Sequence, residues 1–173
     1  NTINHLNEHG EGLADIIANF ASLTLGSGSA AAVIGRHSDN PGSHKMLRGF
    51  FHAATQHHEL CVGSLERMIT DTRGLLDAGT ELAKLAWDDA GAGEAWGGRD
   101  RYILHQVSQV HTNAMIDVLG LDPDTVPLTF PFYGNIGPAA VPITLAREAE
   151  TLSAGDSVLC LGIGSGLNAG LLE

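Results

Sequence analysis

Small apolar residues run through Ala30–Ile34, directly after Leu23-Thr-Leu-Gly-Ser-Gly-Ser, as in a strand buried on both faces. Ahead of them, residues 1–19 are polar and carry Gly10 and Gly12, so they read as an irregular lead-in with one short helix at Leu13–Phe20. Arg36–His44 holds Ser, Asp, Asn, Pro and Gly and is predicted to be a loop. Leu47–Ala54 is the next strand candidate. Thr70–Ala90 is the clearest helix, because Leu75, Leu76, Leu82, Leu85 and Ala86 recur at helical spacing in an Ala- and Glu-rich stretch.

Beyond a Gly-rich break at Ala90–Gly98, Arg101–His105 is a short strand and Ser108–Leu119 a helix, closed by Gly120 at the C′ position. Val107, Val110, Ala114, Met115 and Val118 lie near one face of that helix. Pro127–Phe130 is predicted as a strand and Gly134–Gly137 as a turn. Pro138–Leu152 is predicted as a helix with Pro138 in its first turn, the alternative being a start at which Pro142 is the first helical position. Ser157–Ile163 and Leu167–Leu172 form a closing strand pair across Gly164–Gly166. From Leu47 onward the order is β-α-β-α-β-α-β-β. Alternating strands and helices imply a mostly parallel sheet with helical crossovers, and the last pair adds one antiparallel edge strand.

Composition narrows the function. With 173 residues, 43% hydrophobic and 17% charged, the chain is one ordinary folded domain. Nine Lys+Arg against twenty Asp+Glu give a net charge of −11. Such a chain has no basic face for tracking a phosphate backbone or docking on an anionic membrane. No apolar run approaches the ~20 residues of a membrane span. Two cysteines, Cys61 and Cys160, are too few for a disulfide framework and fit a reduced, cytoplasmic setting. The chain opens at Asn1 without an initiator Met and reads as the second half of something larger.

Three glycine- or histidine-rich motifs suggest chemistry at first sight. Gly26-Ser-Gly-Ser-Ala-Ala fits G-x-G-x-x-A in form, but the residues after it are strand-like, so it is read as a tight turn and not a dinucleotide fingerprint. Gly162-Ile-Gly-Ser-Gly misses both that pattern and the G-x-S-x-G nucleophile elbow. His57-His-Glu-Leu-Cys lacks a second ligand pair at zinc spacing, so a structural role is favoured and no metal is expected.

Three features fall at the carboxyl ends of consecutive strands, where open α/β sheets bind ligands. His105 ends a short apolar strand and is placed for acid/base work. Asn135 stands in Phe132-Tyr-Gly-Asn-Ile-Gly-Pro-Ala. Gly164-Ser165-Gly166 follows the next strand; the Ser165 amide could serve an oxyanion, and its glycine neighbours let a substrate approach.

Those residues carry a resemblance. His105-Gln-Val-Ser, Gly134-Asn-Ile-Gly-Pro-Ala-Ala-Val-Pro and Gly164-Ser-Gly-Leu resemble the C-terminal half of a thiolase-fold condensing enzyme. The layout is similar to β-ketoacyl-ACP synthase III, with its H-Q-A-N, G-N-T-x-A-A-S-x-P and G-G-G pattern. The wording is closer still to the OleA-type acyl-CoA condensing enzymes of long-chain olefin biosynthesis. Thr24-Leu-Gly-Ser-Gly, His57-His-Glu-Leu-Cys, Thr70-Asp-Thr, His105-Gln-Val-Ser-Gln-Val-His-Thr-Asn and Leu159-Cys-Leu-Gly-Ile-Gly-Ser-Gly-Leu-Asn all resemble that group.

The resemblance implies a thiolase-like α/β fold in which 1–45 is the tail of the N-terminal half and 46–173 the C-terminal half. It implies that His105 and Asn135 belong to a Cys-His-Asn triad, and that Gly164, Ser165 and Gly166 form the oxyanion loop. The reaction implied is a head-to-head, non-decarboxylative Claisen condensation of two fatty acyl-CoA molecules to a β-keto acid. The acyl-CoA thioester is the substrate and no cofactor is expected. The nucleophilic cysteine and a glutamate base would come from the N-terminal half, in a homo- or heterodimer. Nothing here matches that cysteine: Cys61 precedes an acidic helical stretch, and Cys160 is inside an apolar strand, where a thiol is inert. Val110 stands where the synthase III family carries a carrier-docking arginine, which favours CoA thioesters. The alternatives are a decarboxylative synthase III-like condensation and a non-catalytic partner subunit.

Overall fold

The computed structural model describes residues 2–10, 12–64, 68–164 and 166–173. The polar lead-in is more helical than its composition predicts. It holds α1 (Thr2–His9), α2 (Leu13–Ala18) and α3 (Phe20–Leu23). A long exposed stretch comes next. Ala30–Ile34 is not a strand: no ladder partner lies beside it among the described residues, and Val33 and Ile34 are fully exposed. Apolar character alone does not make a strand where main-chain partners are lacking.

The main sheet is built from β1 (Gly49–Ala53), β4 (Arg101–Leu104), β5 (Val158–Gly164) and β6 (Asn168–Leu172), after the small hairpin β2 (Cys61–Gly63) and β3 (Met68–Thr70). Its strand order is β1-β6-β5-β4. The β4–β5 pair is parallel, while β5–β6 and β6–β1 are antiparallel. The sheet is therefore mixed, but antiparallel pairs outnumber parallel ones, against the mostly parallel expectation. The closing strand β6 is also interior, because β1 returns to cover it; β1 and β4 are the edges.

The long helix is α4 (Thr72–Asp89), capped by Asp71, whose carboxylate accepts from the Gly74 N–H at 2.9 Å. Ala78, Leu82, Ala83, Ala86 and Trp87 form its buried side, whereas Leu85 faces solvent. A short α5 (Ala92–Trp96) leads into β4. α6 (Gln109–Leu119) starts at the Ser108 cap and stops at Gly120, with φ of 66°, as the sequence predicts. Its buried residues are Thr112, Met115 and Leu119, and Val110 is exposed. Together α4, α6, Tyr102, Leu104, Leu159, Leu161, Ala169 and Leu171 make the main core.

Pro127–Phe130 does not form the predicted strand. The chain turns instead into α7 (Phe130–Tyr133). The groups a strand would have paired are taken by a side chain: Gln106 accepts from the N–H groups of Thr129 and Phe130 and donates to the Pro127 carbonyl. The predicted Pro138–Leu152 helix splits into a 3₁₀ turn at Gly137–Ala139 and α8 (Ala140–Glu148). Pro142 is the third helical residue, not the first; its absent N–H is one that a first turn leaves unpaired in any case. α8 packs on β4 and β5. Among the described residues no helix is long and apolar enough to cross a membrane.

Candidate active site

The parallel β4–β5 ladder ends at the Leu104–Leu161 pair, and the His105 N–H then donates to the Leu161 carbonyl at 2.9 Å. This last bond fixes His105 at the carboxyl end of the two strands. Its ring is half-buried, and burial pushes its pKa below the ordinary histidine value, with the charge of His111 adding to the effect. His105 is therefore a neutral imidazole at neutral pH, with one N–H to donate and one nitrogen to accept. No hydrogen bond to its ring occurs among the described residues.

His111 occupies the first turn of α6. Its Nδ1 lies 2.9 Å from the Ser108 hydroxyl, the group that caps the helix. Burial lowers its pKa too.

Gln106 is fully buried. Its Nε2 donates to the Leu104 carbonyl at 3.0 Å and the Pro127 carbonyl at 3.3 Å. Its Oε1 accepts from the Thr129 N–H at 2.9 Å and the Phe130 N–H at 3.2 Å. One side chain thus ties the strand end that carries His105 to the segment that leads to Asn135. A second buried bond, Thr129 Oγ1 to Thr144 Oγ1 at 2.7 Å, ties that segment to α8.

Asn135 is held by main chain and side chain together. Its N–H donates to the Thr24 carbonyl at 3.1 Å and its carbonyl accepts from the Gly26 N–H at 2.9 Å. This parallel bridge brings Leu25 beside Asn135. Its Oδ1 accepts from the Gly137 N–H at 3.0 Å. An N–H can meet only an acceptor, so this bond sets which way the amide faces and leaves the Nδ2 hydrogens pointing away, without an acceptor among the described residues. Gly26 is needed at this contact: a Cβ there would lie 1.9 Å from the Tyr133 carbonyl oxygen. Gly134 has φ of +69° and faces the Thr24 carbonyl. The Gly26-Ser-Gly stretch is therefore an extended strip docked against the Asn135 loop, not the tight turn its glycines imply.

Of the predicted oxyanion loop, Gly164 ends β5 opposite Asn168, and the space over it is open. Gly166 has φ of +111°. Ser165 lies outside the described residues. His105 and Gly164 thus stand at one end of adjacent strands. Asn135 is linked to them through Gln106, and no hydrogen bond joins Asn135 to His105 among the described residues.

The two cysteines lie in the small hairpin and within β5. Cys61 pairs across the small hairpin with Thr70, Sγ to Oγ1 at 3.5 Å. Burial pushes the Cys160 thiol up to about 11, so it is a protonated thiol at neutral pH. His57 and His58 lie in a 3₁₀ turn, with His58 Nδ1 bonded to the Thr55 carbonyl oxygen at 3.1 Å. Among the described residues no group of three or more His, Cys, Asp and Glu could hold a metal ion.

Sequence reasoning assigns no role to Gln106, to the Ser108–His111 pair or to Thr24–Gly26, although all three lie within the motifs that carry the resemblance. Nothing in their spacing says which main-chain groups they meet.

Residues 95–172 match the family described as the 3-oxoacyl-[acyl-carrier-protein (ACP)] synthase III C terminal. An acyl-CoA:acyl-CoA alkyltransferase of Xanthomonas campestris pv. campestris is 43% identical over 157 residues, which are 88% of this chain and 46% of that protein. A β-ketoacyl-[acyl-carrier-protein] synthase III of Desulfitobacterium hafniense is 35% identical over 92 residues, 52% of this chain and 27% of that one. The crystal structure of Xanthomonas campestris OleA with bound lauric acid and lauroyl-CoA superposes with a TM-score of 0.91 at 38% identity, covering 99% of this chain and 52% of that one. The chain spans about half the length of the acyl-CoA:acyl-CoA alkyltransferases it matches.

Proposed function

Because the chain has the thiolase-like fold and its residues 95–172 match the 3-oxoacyl-[acyl-carrier-protein] synthase III C-terminal family, we propose that it supplies the histidine–asparagine half of an acyl-CoA condensing site. The reaction is a head-to-head, non-decarboxylative Claisen condensation of two fatty acyl-CoAs. The observation that carries this reading is the neutral His105, hung on Leu161 at the carboxyl end of the parallel pair and tied by Gln106 toward the Asn135 loop.

In this mechanism a cysteine thiolate outside this chain takes the first acyl group, and CoA leaves as its thiolate. A base removes an α-proton from the second acyl-CoA. Negative charge then builds on that thioester's oxygen, where the His105 N–H and the Asn135 Nδ2–H donate to it. The neutral imidazole keeps one N–H to donate for this task. The α-carbon attacks the acyl-enzyme carbonyl; a C–C bond forms and the C–S bond to the cysteine breaks. Hydrolysis of the remaining thioester releases CoA and the β-keto acid. The open space over Gly164 leaves room for a thioester at this strand end.

A decarboxylative reading has its own support, because the matched family and the Desulfitobacterium relative are carrier-protein synthases. The test uses the full-length protein with lauroyl-CoA as its sole substrate, following CoA release and the β-keto acid or its decarboxylation product. His105→Ala and Asn135→Ala should each lower kcat by about 10²–10³-fold. Full activity in both variants refutes the assignment of the site. Turnover only when a malonyl thioester is added selects the decarboxylative reading. A full-length protein inactive with both donors is a non-catalytic partner.

A further inference from the structure

Gln106 is the most completely bonded buried polar side chain near the candidate site, and the proposed mechanism gives it no part. It adjoins His105 in sequence and has no solvent contact. Its amide spends both donors and both acceptor positions on main-chain groups: the Leu104 and Pro127 carbonyls, and the Thr129 and Phe130 N–H groups. Among the described residues β4 is a sheet edge, so no neighbouring strand there fixes the side on which this segment lies. The amide does the work of a ladder there, joining the strand end that bears His105 to the start of the segment that turns through α7 into Asn135.

We propose that Gln106 is a positioning residue: it sets the distance and angle between His105 and the Asn135 loop, so that their two donors converge on one oxygen. The inference rests on the proposed roles of His105 and Asn135. A side chain with only oxygens, or only carbons, cannot replace it, because the four groups it meets are two acceptors and two donors. A merely structural role predicts lost stability in proportion to the lost bonds. A positioning role predicts a loss in kcat out of proportion to the loss in stability, because misplacing a donor by about 1 Å costs about 10²-fold.

The test is made on the full-length protein with lauroyl-CoA. Gln106→Met keeps the volume and removes all four bonds. Gln106→Glu keeps both acceptor contacts but sets an oxygen against the Leu104 and Pro127 carbonyls unless it is protonated. Leu82→Ala is the stability control, since it opens the α4 face of the main core without touching the bonds that hold His105 or the Asn135 loop. Gln106→Met should lose kcat by at least about tenfold with KM within about twofold, whereas Leu82→Ala, at a similar loss of Tm, keeps kcat within about twofold. The ratio of Gln106→Glu to wild-type kcat should rise as the pH is lowered, because the protonated carboxyl regains a donor. Equal kcat in Gln106→Met and Leu82→Ala at equal Tm overturns the inference, as does a pH-independent Gln106→Glu ratio. His105→Ala run alongside separates the failures: full activity there refutes the site itself, while an inactive His105→Ala beside an unimpaired Gln106→Met refutes only the positioning role.

Discussion

Substituting Gly26 by Ala should break the docked strip and disable the Asn135 loop together. The new methyl would lie 1.9 Å from the Tyr133 carbonyl oxygen and 2.8 Å from Ile136 Cγ2. The oxygen belongs to the backbone and cannot swing aside, so the two chains must part by about 1 Å to reach ordinary contact. That opening takes the Gly26–Asn135 bond, now 2.9 Å, and the Asn135–Thr24 bond, now 3.1 Å, beyond useful geometry. Two main-chain bonds at about 1 kcal/mol each, plus local overpacking of about 1–2 kcal/mol, give a loss of roughly 3–4 kcal/mol. Two other glycines calibrate it. At Gly28 the nearest atoms are side-chain carbons of Ile136 and Ile143 at 3.1–3.3 Å, which can yield, so Gly28→Ala should cost about 1 kcal/mol. At Gly42 a Cβ meets nothing within 4 Å, so Gly42→Ala should be within about 0.5 kcal/mol of wild type. Urea denaturation of the full-length protein reads the stabilities, and lauroyl-CoA turnover reads the loop. Gly26→Ala should also lose about 10²-fold in kcat if Asn135 is a donor. A Gly26→Ala protein as stable as Gly42→Ala refutes the docked strip. One that is unstable but fully active refutes the role of the loop.

The titrating groups set two further outcomes. Burial lowers the pKa of His105 and of His111 below 6.5, so the native state binds fewer protons than the unfolded chain as pH falls past that value. Stability is then undiminished above pH 6.5 and declines as the pH drops through it toward the depressed native values; the acid limb of kcat/KM, reporting neutral His105, should lie below 6.5. A pH–rate profile of the full-length protein with its acid limb at or above 6.5 contradicts this. Cys160, with its thiol pushed up to about 11, should resist iodoacetamide at about pH 7.5 in the native protein and react after denaturation, and Cys160→Ala should keep wild-type turnover. Rapid native-state alkylation at Cys160 would show that the strand leaves it open.

The periodic parts of the fold are legible in the sequence because one chain segment suffices to specify them. α4 is visible in its leucine spacing, α6 in its Ser108 cap and Gly120 stop, and β4, β5 and β6 in short apolar runs. The elements that differ from expectation depend on partners. Ala30–Ile34 has strand composition but no ladder, and Pro127–Phe130 is bonded to a glutamine side chain in place of a strand. The sheet order is illegible for the same reason: nothing local in β1 says that it returns to cover β6. At the site, His105 stands out as a polar residue at a strand end and Asn135 as the polar residue of a glycine-rich turn, although a short helix and not the expected strand precedes it, whereas Gln106 is hidden because its importance lies in which carbonyls and amides it meets.

The candidate site is positioned by hydrogen bonds more than by the core. His105 hangs on one main-chain bond past the end of a ladder; the Asn135 loop is held by Gln106, by Thr129–Thr144 and by the Thr24–Gly26 strip. Of its apolar support, Ile136, Ala139 and Ala140 form a cluster separate from the main core. A core of close-packed side chains resists displacement in every direction, but a hydrogen bond is sensitive mainly to distance and angle. Two elements joined in this way can therefore keep their secondary structure while their relative placement shifts. Variants at Gln106 and Gly26 separate these cases, since each strikes a link and leaves the buried faces of α4 and α6 untouched. If the links alone set the geometry, turnover should fall in both while the α4–α6 core, followed by amide hydrogen exchange, keeps its protection.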